Sequence, residues 1–313
     1  MKIAFRADSS YLIGTGHVHR CIEIAKNFKK KKIKSIFISS NFKGNLNNFI
    51  KKKFSLLKIV QPVNTLKIDT KLQILNDAKK TVFFIKKYKI DYLFVDNYQI
   101  DLSWEKIVSR HCKIILLSDS LDRKTLCDYI INYHLLFEDH KLRNYYLKNN
   151  CKRLIGPQYS IIKKFNKSSV YPDNKNRIVV YMGGVDNHDY TSKIINVLKK
   201  KNFCNYNILV IIGKKNLYKK KIQREIVNLK NFSYILGNKK NIYNYIYKCS
   251  LSISNGGTSM YENLAVGNNL IVLPQSQLQK KICSELHSAK LVSYFQKKSQ
   301  INQKSIIEFN YAK

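Results

Sequence analysis

The segment SSYLIGTGHVHRC, residues 9–21, holds two glycines and two histidines within six residues and follows a predicted strand. Gly14 and Gly16 begin a pattern like the dinucleotide-binding fingerprint, but His19 stands where its third glycine would be, so a dinucleotide site is not expected. The glycines are expected instead to turn the backbone tightly and place His17 in the first turn of a helix. The helix N-terminus disfavours an imidazolium, which suits a general base. On spacing alone, His17 could equally cap the helix or pack, and His19 is expected to be structural or exposed.

A second candidate site lies in SNGGTSMYENLAVGNN, residues 254–269. A strand is predicted to end at the first residues of this segment, and a helix to follow over 258–266. The N–H groups of Gly257, Thr258 and Ser259 would then point at an anion, and the helix dipole would add to the attraction. Glu262 lies one turn further on the same face, where it could accept hydrogen bonds from a ribose. The pattern indicates a sugar-nucleotide diphosphate site, against the alternative of a plain turn with a solvent-facing glutamate.

A third glycine turn lies in YMGGVDNHDYT, residues 181–191. Gly183 and Gly184 end a predicted strand, and Asp189 or Thr191 is expected to cap the helix that follows. The backbone of this turn could line a ligand site near the diphosphate. A tight turn with a helix cap, and no ligand, explains the same residues equally well.

Short apolar runs alternate with helical patterns along the whole chain, which is typical of parallel βαβ units. At 313 residues and 44% hydrophobic, the chain is long enough for two cores. The pattern restarts at RIVVYMGG, after a polar stretch over 166–176. We therefore predict an α/β protein with two Rossmann-like domains that face each other across a central cleft, with ligands beyond the carboxyl ends of the strands. The first predicted domain, 1–165, carries the histidine; the second, 177–300, binds the nucleotide; a tail covers 301–313.

The formal net charge of +37 suggests a nucleic-acid partner at first sight. Only 8 of the 57 basic residues are arginine, however, although arginine makes the bidentate contacts to bases and phosphates. The lysine runs at 29–32 and 51–53 close predicted helices, where cations suit the helix dipole. We therefore expect solvated helix ends, and nucleic-acid binding is the last of the alternatives.

The seven cysteines are scattered, and none forms a CxxC pair, so neither a disulfide framework nor a zinc site is predicted. The N-terminal residues do not read as a signal peptide, and no apolar run is long enough to span a bilayer. The expected location is the cytoplasm, without membrane insertion.

Metal and cofactor motifs are also missing from the sequence. There is no HExxH, no clear Asp-x-Asp pair and no GxSxG elbow. Without a metal, a reaction in which a phosphate leaves must use helix dipoles and backbone donors, and no cofactor is predicted.

The segment FRADSSYLIGTGHVHRCIEIA, residues 5–25, resembles the N-terminal signature of the UDP-sugar hydrolases of pseudaminic acid biosynthesis. The likeness continues through VDNYQIDLSWE (95–105), SDSLDRKTLCDYIIN (118–132), YMGGVDNHDYT and SNGGTSMYENLAVGNNLIVLPQSQLQ (254–279). That family is related to spore-coat polysaccharide proteins and shares the two-domain GT-B fold of glycosyltransferases. The resemblance therefore implies a GT-B-like architecture and a small-molecule UDP-sugar as partner.

The resemblance also implies a reaction. Water would attack the anomeric carbon of UDP-2,4-diacetamido-2,4,6-trideoxy-β-L-altrose with inversion and break the C–O bond without a metal. His17 matches the general base, the turn from Gly256 to Thr258 the diphosphate site, and Glu262 the ribose ligand. Asn255 would face the leaving diphosphate or the sugar. The remaining residues that the resemblance assigns to cleft shaping or to contacts with the sugar and nucleotide are Arg6, Asp8, Arg20 and Gln277.

Two departures from the family concern the identity of the sugar more than the type of reaction. The family has an Asp-Asp pair where this chain has Ser118 and Asp119, and an Asn-Gln pair where it offers Gln275, Gln277 and Gln279. The main alternative is a GT-B glycosyltransferase, which would use the same UDP site but pass the sugar to an acceptor. The sequence makes no prediction of an oligomeric state.

Overall fold

The computed structural model describes residues 1–60, 70–119, 124–134, 150–162, 174–214, 216–237, 245–247 and 249–311. The chain divides into two compact units, Met1–Ile161 and Ile162–Lys313. Most of the junction predicted at 166–176 lies outside the described residues, and the predicted domain limits stay a prediction.

The first unit is built on a seven-stranded sheet in the order β3-β2-β1-β4-β5-β6-β7, in which all described strand pairs are parallel. Its strands are β1 Ile3–Ala7, β2 Ser35–Ser40, β3 Ser55–Ile59, β4 Tyr92–Asp96, β5 Lys113–Leu117, β6 Tyr129–Asn132 and β7 Lys152–Ile155. Its helices are α1 Gly16–Lys30, α2 Asn47–Lys51, α3 Thr70–Tyr88 and α4 Leu102–Val108, with a 3-10 turn at Pro157–Tyr159.

The second unit has a six-stranded parallel sheet in the order β10-β9-β8-β11-β12-β13. Its strands are β8 Asn174–Tyr181, β9 Asn207–Gly213, β10 Phe232–Gly237, β11 Cys249–Asn255, β12 Leu270–Leu273 and β13 Ser293–Tyr294. Its helices are α5 Tyr190–Leu198, α6 Lys219–Ile226, α7 Thr258–Ala265, α8 Gln277–Ser288 and α9 Gln303–Tyr311, with 3-10 turns at Lys201–Phe203 and Lys298–Gln300.

Both sheets have the Rossmann strand order, and the prediction of two Rossmann-like α/β domains is confirmed. In each sheet the order reverses between two central strands, β1 and β4 in the first unit and β8 and β11 in the second. Ligands of open α/β sheets bind beyond the carboxyl ends of the strands at such switch points. We call the side on which the strands end the carboxyl edge of a sheet, and the side on which they begin its amino edge.

Apolar residues fill both faces of each sheet, as expected for parallel strands covered by helices. In the first unit, the ring of Phe5 on β1 stacks between those of Phe37 on β2 and Phe94 on β4, with ring centroids 5.0 and 4.9 Å apart. In the second unit the predicted tail is part of the core, because Ile301 and Ile306 are each only 1% exposed. The described part of the segment predicted as a tail, 301–313, thus packs into this core. No helix in the described ranges is long and apolar enough to cross a bilayer.

Three helices end on a lysine in the left-handed backbone conformation. Lys32, Lys89 and Lys290 have φ values of 59°, 52° and 57°. In each case the next N–H bonds to the carbonyl five residues back, as in Leu291 to Leu286. This is the Schellman arrangement, whose left-handed position usually holds glycine because a Cβ is strained there.

Replacing Lys290 by glycine should therefore stabilise the protein. The substitution removes the strain of the left-handed conformation in the folded state, about 1–2 kcal/mol. Glycine also raises the chain entropy of the unfolded state, which costs about 0.5–1 kcal/mol. The free energy of unfolding should therefore rise by roughly 0.5–1 kcal/mol. The control Lys281→Gly, at an exposed position inside α8, should lower it by about 1 kcal/mol. Urea unfolding followed by circular dichroism measures both, and a loss of stability in Lys290→Gly would contradict the strain.

Candidate functional site

His17 lies at the carboxyl edge of the first sheet, in the first turn of α1. The chain reaches it through a tight loop closed by two backbone bonds between Ser10 and Gly14, and Gly14 has a φ of 81°, which favours glycine. The side chain is 7% exposed, and its Nδ1 lies 2.6 Å from Oδ1 of Asp96. The expected placement of the histidine is thus present, with a carboxylate partner that the sequence did not show.

Asp96 ends β4, the strand next to β1, and it is fully buried. Arg20, one helical turn after His17, donates from Nε to Oδ2 at 2.8 Å and from Nη2 to Oδ1 at 2.7 Å. Burial alone would raise the pKa of Asp96, but Arg20 and His17 outweigh it and hold the pKa below its usual value. Because an ionised carboxylate only accepts hydrogen bonds, His17 donates from Nδ1, and in the neutral imidazole Nε2 is then the acceptor.

The Arg20 guanidinium also reaches the end of β5 and the residues after β6. It donates to the carboxylate of Asp119 and to Oη of Tyr133, the latter at 2.9 Å. Asp119 accepts from the Tyr98 hydroxyl and lies 3.4 Å from Nε2 of His134. Burial would raise the pKa of Asp119, yet Arg20 and His134 keep it well below the usual range. Arg20 is therefore held between two ionised carboxylates.

The Tyr98 ring closes this cluster from the side of the histidine. Its edge meets the His17 ring at 4.5 Å between centroids, with the ring planes 88° apart. The contact restricts rotation of the imidazole, while the hydroxyl is anchored on Asp119. Asp96, Arg20 and Tyr98 together define the orientation of the histidine ring.

Arg6 and Asp8 form a separate buried network on β1 and the loop after it. Arg6 donates to both oxygens of Asp8, at 2.6 and 2.8 Å, and from Nε to Asp77 at 3.1 Å. Asp77 also accepts from the Trp104 indole at 2.8 Å. Asn97, which follows Asp96, donates to Asp8 at 2.9 Å and joins this network to the histidine cluster. These five side chains line a cavity of about 240 Å³.

At the carboxyl edge of the second sheet, Asn255 connects two glycine turns. Its Oδ1 accepts from the Gly257 N–H at 3.4 Å and from the Ser259 hydroxyl at 3.0 Å. Its Nδ2 lies so close to Gly183, whose φ is 87°, that a Cβ there would stand 2.5 Å away. Asn255, which is expected to face a diphosphate or a sugar, thus has its amide oxygen bonded within the turn.

The loops at this edge approach one another through close backbone packing. A Cβ on Gly213, at the end of β9, would overlap the carbonyl oxygens of Gly183 and Gly184. A Cβ on Gly256 would stand 2.5 Å from Sγ of Cys283 on α8. By contrast, a Cβ on Gly184 meets no atom within 4 Å. The edge is tightly built but open at the surface next to Gly184.

The α7 helix starts at Thr258, directly after the Gly257 N-cap, and no side chain in the described ranges caps it. The first N–H groups of a helix lack partners within the helix, so they can bind an anion. Glu262, one turn further, is only 3% exposed, which excludes the solvent-facing alternative. Burial and the Glu262 carboxylate together raise the pKa of Tyr181, at the end of β8. The buried carboxylate therefore lies close enough to Tyr181 to act on it electrostatically.

The side chain that caps α5 differs from the expected one. The cap of α5 is Asp186, which accepts from the Tyr190 N–H at 3.0 Å and from the Thr191 hydroxyl at 2.6 Å. Asp189 occupies the N-cap position with a left-handed φ of 49°, but its side chain makes no capping hydrogen bond and pairs with Lys221 instead. Asp189 thus stands at the expected cap position, while the capping hydrogen bonds expected from Asp189 or Thr191 are accepted by Asp186.

Gln275, Gln277 and Gln279 have different surroundings in the structure. Gln275 donates from Nε2 to the Met182 carbonyl at 2.7 Å, and its N–H donates to the side chain of Gln279. Gln277 is exposed in the first turn of α8. Within the described ranges, no three His, Cys, Asp or Glu side chains are grouped to hold a metal ion.

Two functional candidates were not recognised from the sequence. Asp96 was not singled out, and Asp119 was noted without a partner. Each stands at or just after the end of an apolar strand, in YLFVD and in KIILLSD. Given the Rossmann order, both would be placed at the edge reached by His17. An aspartate at the end of an apolar strand was therefore a usable signal, but it could be interpreted only once the strand order was known.

Comparison with known proteins gives two sequence relatives, and no family model matches the chain. The chain is 27% identical over 298 residues to "Uncharacterized protein MJ1062" of Methanocaldococcus jannaschii, covering 90% of this chain and 57% of that protein. It is 24% identical over 203 residues to the UDP-2,4-diacetamido-2,4,6-trideoxy-beta-L-altropyranose hydrolase of Campylobacter jejuni, covering 64% of this chain and 66% of the hydrolase. The alignments thus span between about half and two thirds of these relatives.

Solved structures with two such domains resemble the chain over nearly its whole length. MurG of Acinetobacter baumannii has a TM-score of 0.66 at 11% identity, covering 99% of this chain and 91% of that chain. The UDP-GlcNAc 2-epimerase of Neisseria meningitidis, solved with UDP-GlcNAc, has a TM-score of 0.63 at 10% identity, covering 99% and 92%. At these identities the likeness shows the fold alone, and it confirms the predicted GT-B-like class.

The ion pairs around Arg20 predict how stability depends on pH. A carboxylate whose pKa is lower in the folded than in the unfolded state stabilises the folded protein. This contribution is complete above the unfolded-state pKa, about 3.9 for aspartate, and is lost as the pH falls through the folded-state pKa. The free energy of unfolding should therefore fall as the pH drops below about 4.5. In Asp119→Asn, the slope of that fall should be smaller by up to about 1.4 kcal/mol per pH unit.

Urea unfolding at a series of pH values between 3 and 7 measures these slopes. The control Glu308→Gln removes an exposed carboxylate, 3.8 Å from Lys304, and should leave the slope as in the unmodified protein. Equal slopes in Asp119→Asn and in the control would show that Asp119 carries no such pairing.

Proposed function

We propose that this protein is a UDP-sugar hydrolase in which His17 is the general base. The observation that carries the proposal is the His17–Asp96 pair at the switch point of the first sheet. An ionised Asp96 holds Nδ1 as a donor, so Nε2 accepts a proton from water. As Nε2 takes that proton, the adjacent carboxylate stabilises the imidazolium that forms.

The nucleotide is proposed to bind at the carboxyl edge of the second sheet. The N–H groups at the start of α7 would hold the β-phosphate, and Glu262 would accept from the ribose hydroxyls. Gly184 would leave room for the diphosphate, because the space beside its Cα is open. Gln277, exposed at the start of α8, is the candidate for a further contact with the nucleotide or the sugar.

The reaction then balances without a cofactor. The water oxygen forms a bond to the anomeric carbon while the bond from that carbon to the phosphate oxygen breaks. The water proton goes to Nε2 of His17, and the electron pair of the broken bond leaves with UDP. Charge grows on the β-phosphate as UDP departs, and fixed backbone donors and the helix dipole stabilise that charge.

The other assigned side chains have supporting roles in this proposal. Arg20 is a positioning residue, because it contacts Asp96 and Asp119. Arg6 and Asp8 would shape the cavity of about 240 Å³ for part of the sugar. Asn255 would act through the turn, by fixing the Gly257 N–H and the Ser259 hydroxyl.

The proposed substrate is UDP-2,4-diacetamido-2,4,6-trideoxy-β-L-altrose, on the way to pseudaminic acid. Support comes from the similarity to the Campylobacter jejuni hydrolase and from the motifs shared with that family. The proposal places the enzyme in the cytoplasm, where nucleotide sugars are made. A metal takes no part in it.

His17→Ala should lower the rate of UDP release by about 10²–10⁴-fold, the usual contribution of a general base, while UDP binding survives. Release is measured by a coupled assay in buffer with EDTA and without an acceptor, and binding by calorimetry. The matched control His19→Ala, on the same helix, should keep both. If His17→Ala loses binding and turnover equally, the histidine is structural. If the unmodified protein binds UDP but releases none from this substrate, a transferase or another sugar replaces the proposal.

Thr258→Pro tests the anion site by deleting one backbone donor. Proline is favoured at the first helical position, and Gly257 before it is already extended, so the helix should form and the thermal midpoint should stay unchanged. The loss of one charge-assisted hydrogen bond, about 1.5–3 kcal/mol, should weaken UDP binding roughly 10–150-fold. Thr258→Ala keeps the N–H and should bind UDP as the unmodified protein does. Equal binding by both variants would move the diphosphate away from α7.

A further inference from the structure

A second cavity of the first unit lies at the amino edge of its sheet, away from His17. It has a volume of about 700 Å³, within the roughly 300–1,000 Å³ range of small-molecule sites. Its lining includes Lys2, just before β1, and Ser35 and Ser55, the first residues of β2 and β3. His17 and Asp96 stand at the opposite edge of the same sheet. The cavity is therefore separate from the candidate active site.

Lysines converge on this cavity because helices of α/β units run antiparallel to the strands. The C-terminus of α1 consequently lies at the amino edge, together with the segment that follows α2. None of the described residues that line the cavity is a carboxylate. The cavity therefore attracts an anion. The lysines in its lining are Lys2, Lys29, Lys32, Lys34 and Lys53.

The floor of the cavity is apolar. Its side chains are half-buried and continue the core of the first unit to the surface. No amide or carboxylate side chain is among the described lining residues, so the floor could not read the edge of a nucleobase by hydrogen bonds. A hydrocarbon matches such a floor better. The apolar residues are Ile33, Ile36, Phe54, Leu56, Leu57 and Tyr88.

Ser35 supplies an independent sign of a ligand. It lines the cavity and is 9% exposed, and its Oγ is buried without a hydrogen-bond partner in the part of the chain that the structure describes. A buried hydroxyl without a partner is unfavourable, and most such groups in proteins are satisfied. In the described conformation the hydroxyl is closed off from the cavity, so a rotation about the Cα–Cβ bond of Ser35 is needed before an oxygen of a bound anionic head can provide the partner.

From these features we propose that the cavity binds a single-chain anionic amphiphile, one molecule at a time. The charged head lies among the lysines and accepts from the Ser35 hydroxyl once that side chain has rotated towards the cavity, and the hydrocarbon chain covers the apolar floor. The occupant is distinct from the substrate on which His17 acts, so this proposal holds or fails independently of the hydrolase proposal.

Calorimetry with dodecyl phosphate, below the concentration at which it forms micelles, tests the site. The expected result is saturable binding of one molecule per chain. Inorganic phosphate, which has only the head, and dodecanol, which has only the chain, should each bind at least about tenfold more weakly, a difference of about 1.4 kcal/mol or more. Binding should also weaken in high salt, since screening reduces the attraction of the lysines.

Two variants with the same change in net charge identify the site. Lys32→Glu/Lys53→Glu should weaken dodecyl phosphate binding by about tenfold or more. Lys199→Glu/Lys200→Glu, at the end of α5 in the second unit, should bind it as the unmodified protein does. Ser35→Ala should weaken binding by several-fold and leave the thermal midpoint equal or higher, because the hydroxyl it removes has no partner in the free protein.

Three outcomes would overturn the proposal. Equal weakening in the two double variants would show a general attraction of the basic protein for anions. Binding only to vesicles of an anionic phospholipid, and not to monomeric dodecyl phosphate, would make the feature a membrane-docking surface. A lower thermal midpoint in Ser35→Ala with unchanged binding would give that hydroxyl a structural role.

Discussion

The carboxyl edge of the first unit depends on one buried charge, the Asp96 carboxylate. A buried carboxylate is costly unless it is paired and hydrogen-bonded, and Asp96 meets this condition by binding Arg20 at both oxygens and His17 at one. Arg20 in turn needs Asp119, because its guanidinium is itself only 7% exposed. The orientation of His17 follows from this arrangement. Loss of either carboxylate would leave part of a buried cation unpaired, so the cluster holds together as a unit.

In the second unit the glycine turns at the carboxyl edge are joined by neutral groups, and the difference from the cluster around Arg20 matches the chemistry proposed for each. Glycines allow the backbones of neighbouring loops to touch, and Asn255 ties the turns together through an amide. A doubly charged diphosphate would be repelled by a cluster of carboxylates such as that around Arg20. Backbone N–H groups and a helix dipole attract it without a counter-charge that must be desolvated. Glu262 stands one turn away from these donors, where a ribose rather than a phosphate would be expected.

Local signals in the sequence predicted most of the fold. Alternating apolar runs gave the strands, and the turn at 254–269 gave the helix that starts at Thr258, because both patterns depend on neighbouring residues. Contacts between distant segments were not predictable in this way. His17 and Asp96 are 79 residues apart, and only the strand order brings them together. The α5 cap was predicted only in part: Asp189 occupies the N-cap position, as its residue type suggests, but the capping hydrogen bonds are accepted by Asp186.

One geometric rule connects the two ends of the sheets. Because each helix returns antiparallel to its strand, helix N-termini gather at the carboxyl edge and helix C-termini at the amino edge. The macrodipole then favours anions at the first edge and cations at the second. A chain with 57 basic residues places lysines at its helix C-termini at no electrostatic cost, and the amino edge becomes positive as a result. Composition alone would give such an edge to any α/β protein of this charge. It does not give an apolar floor or a buried Ser35 hydroxyl without a partner, and these two features distinguish the cavity of about 700 Å³ from an ordinary cluster of solvated helix ends.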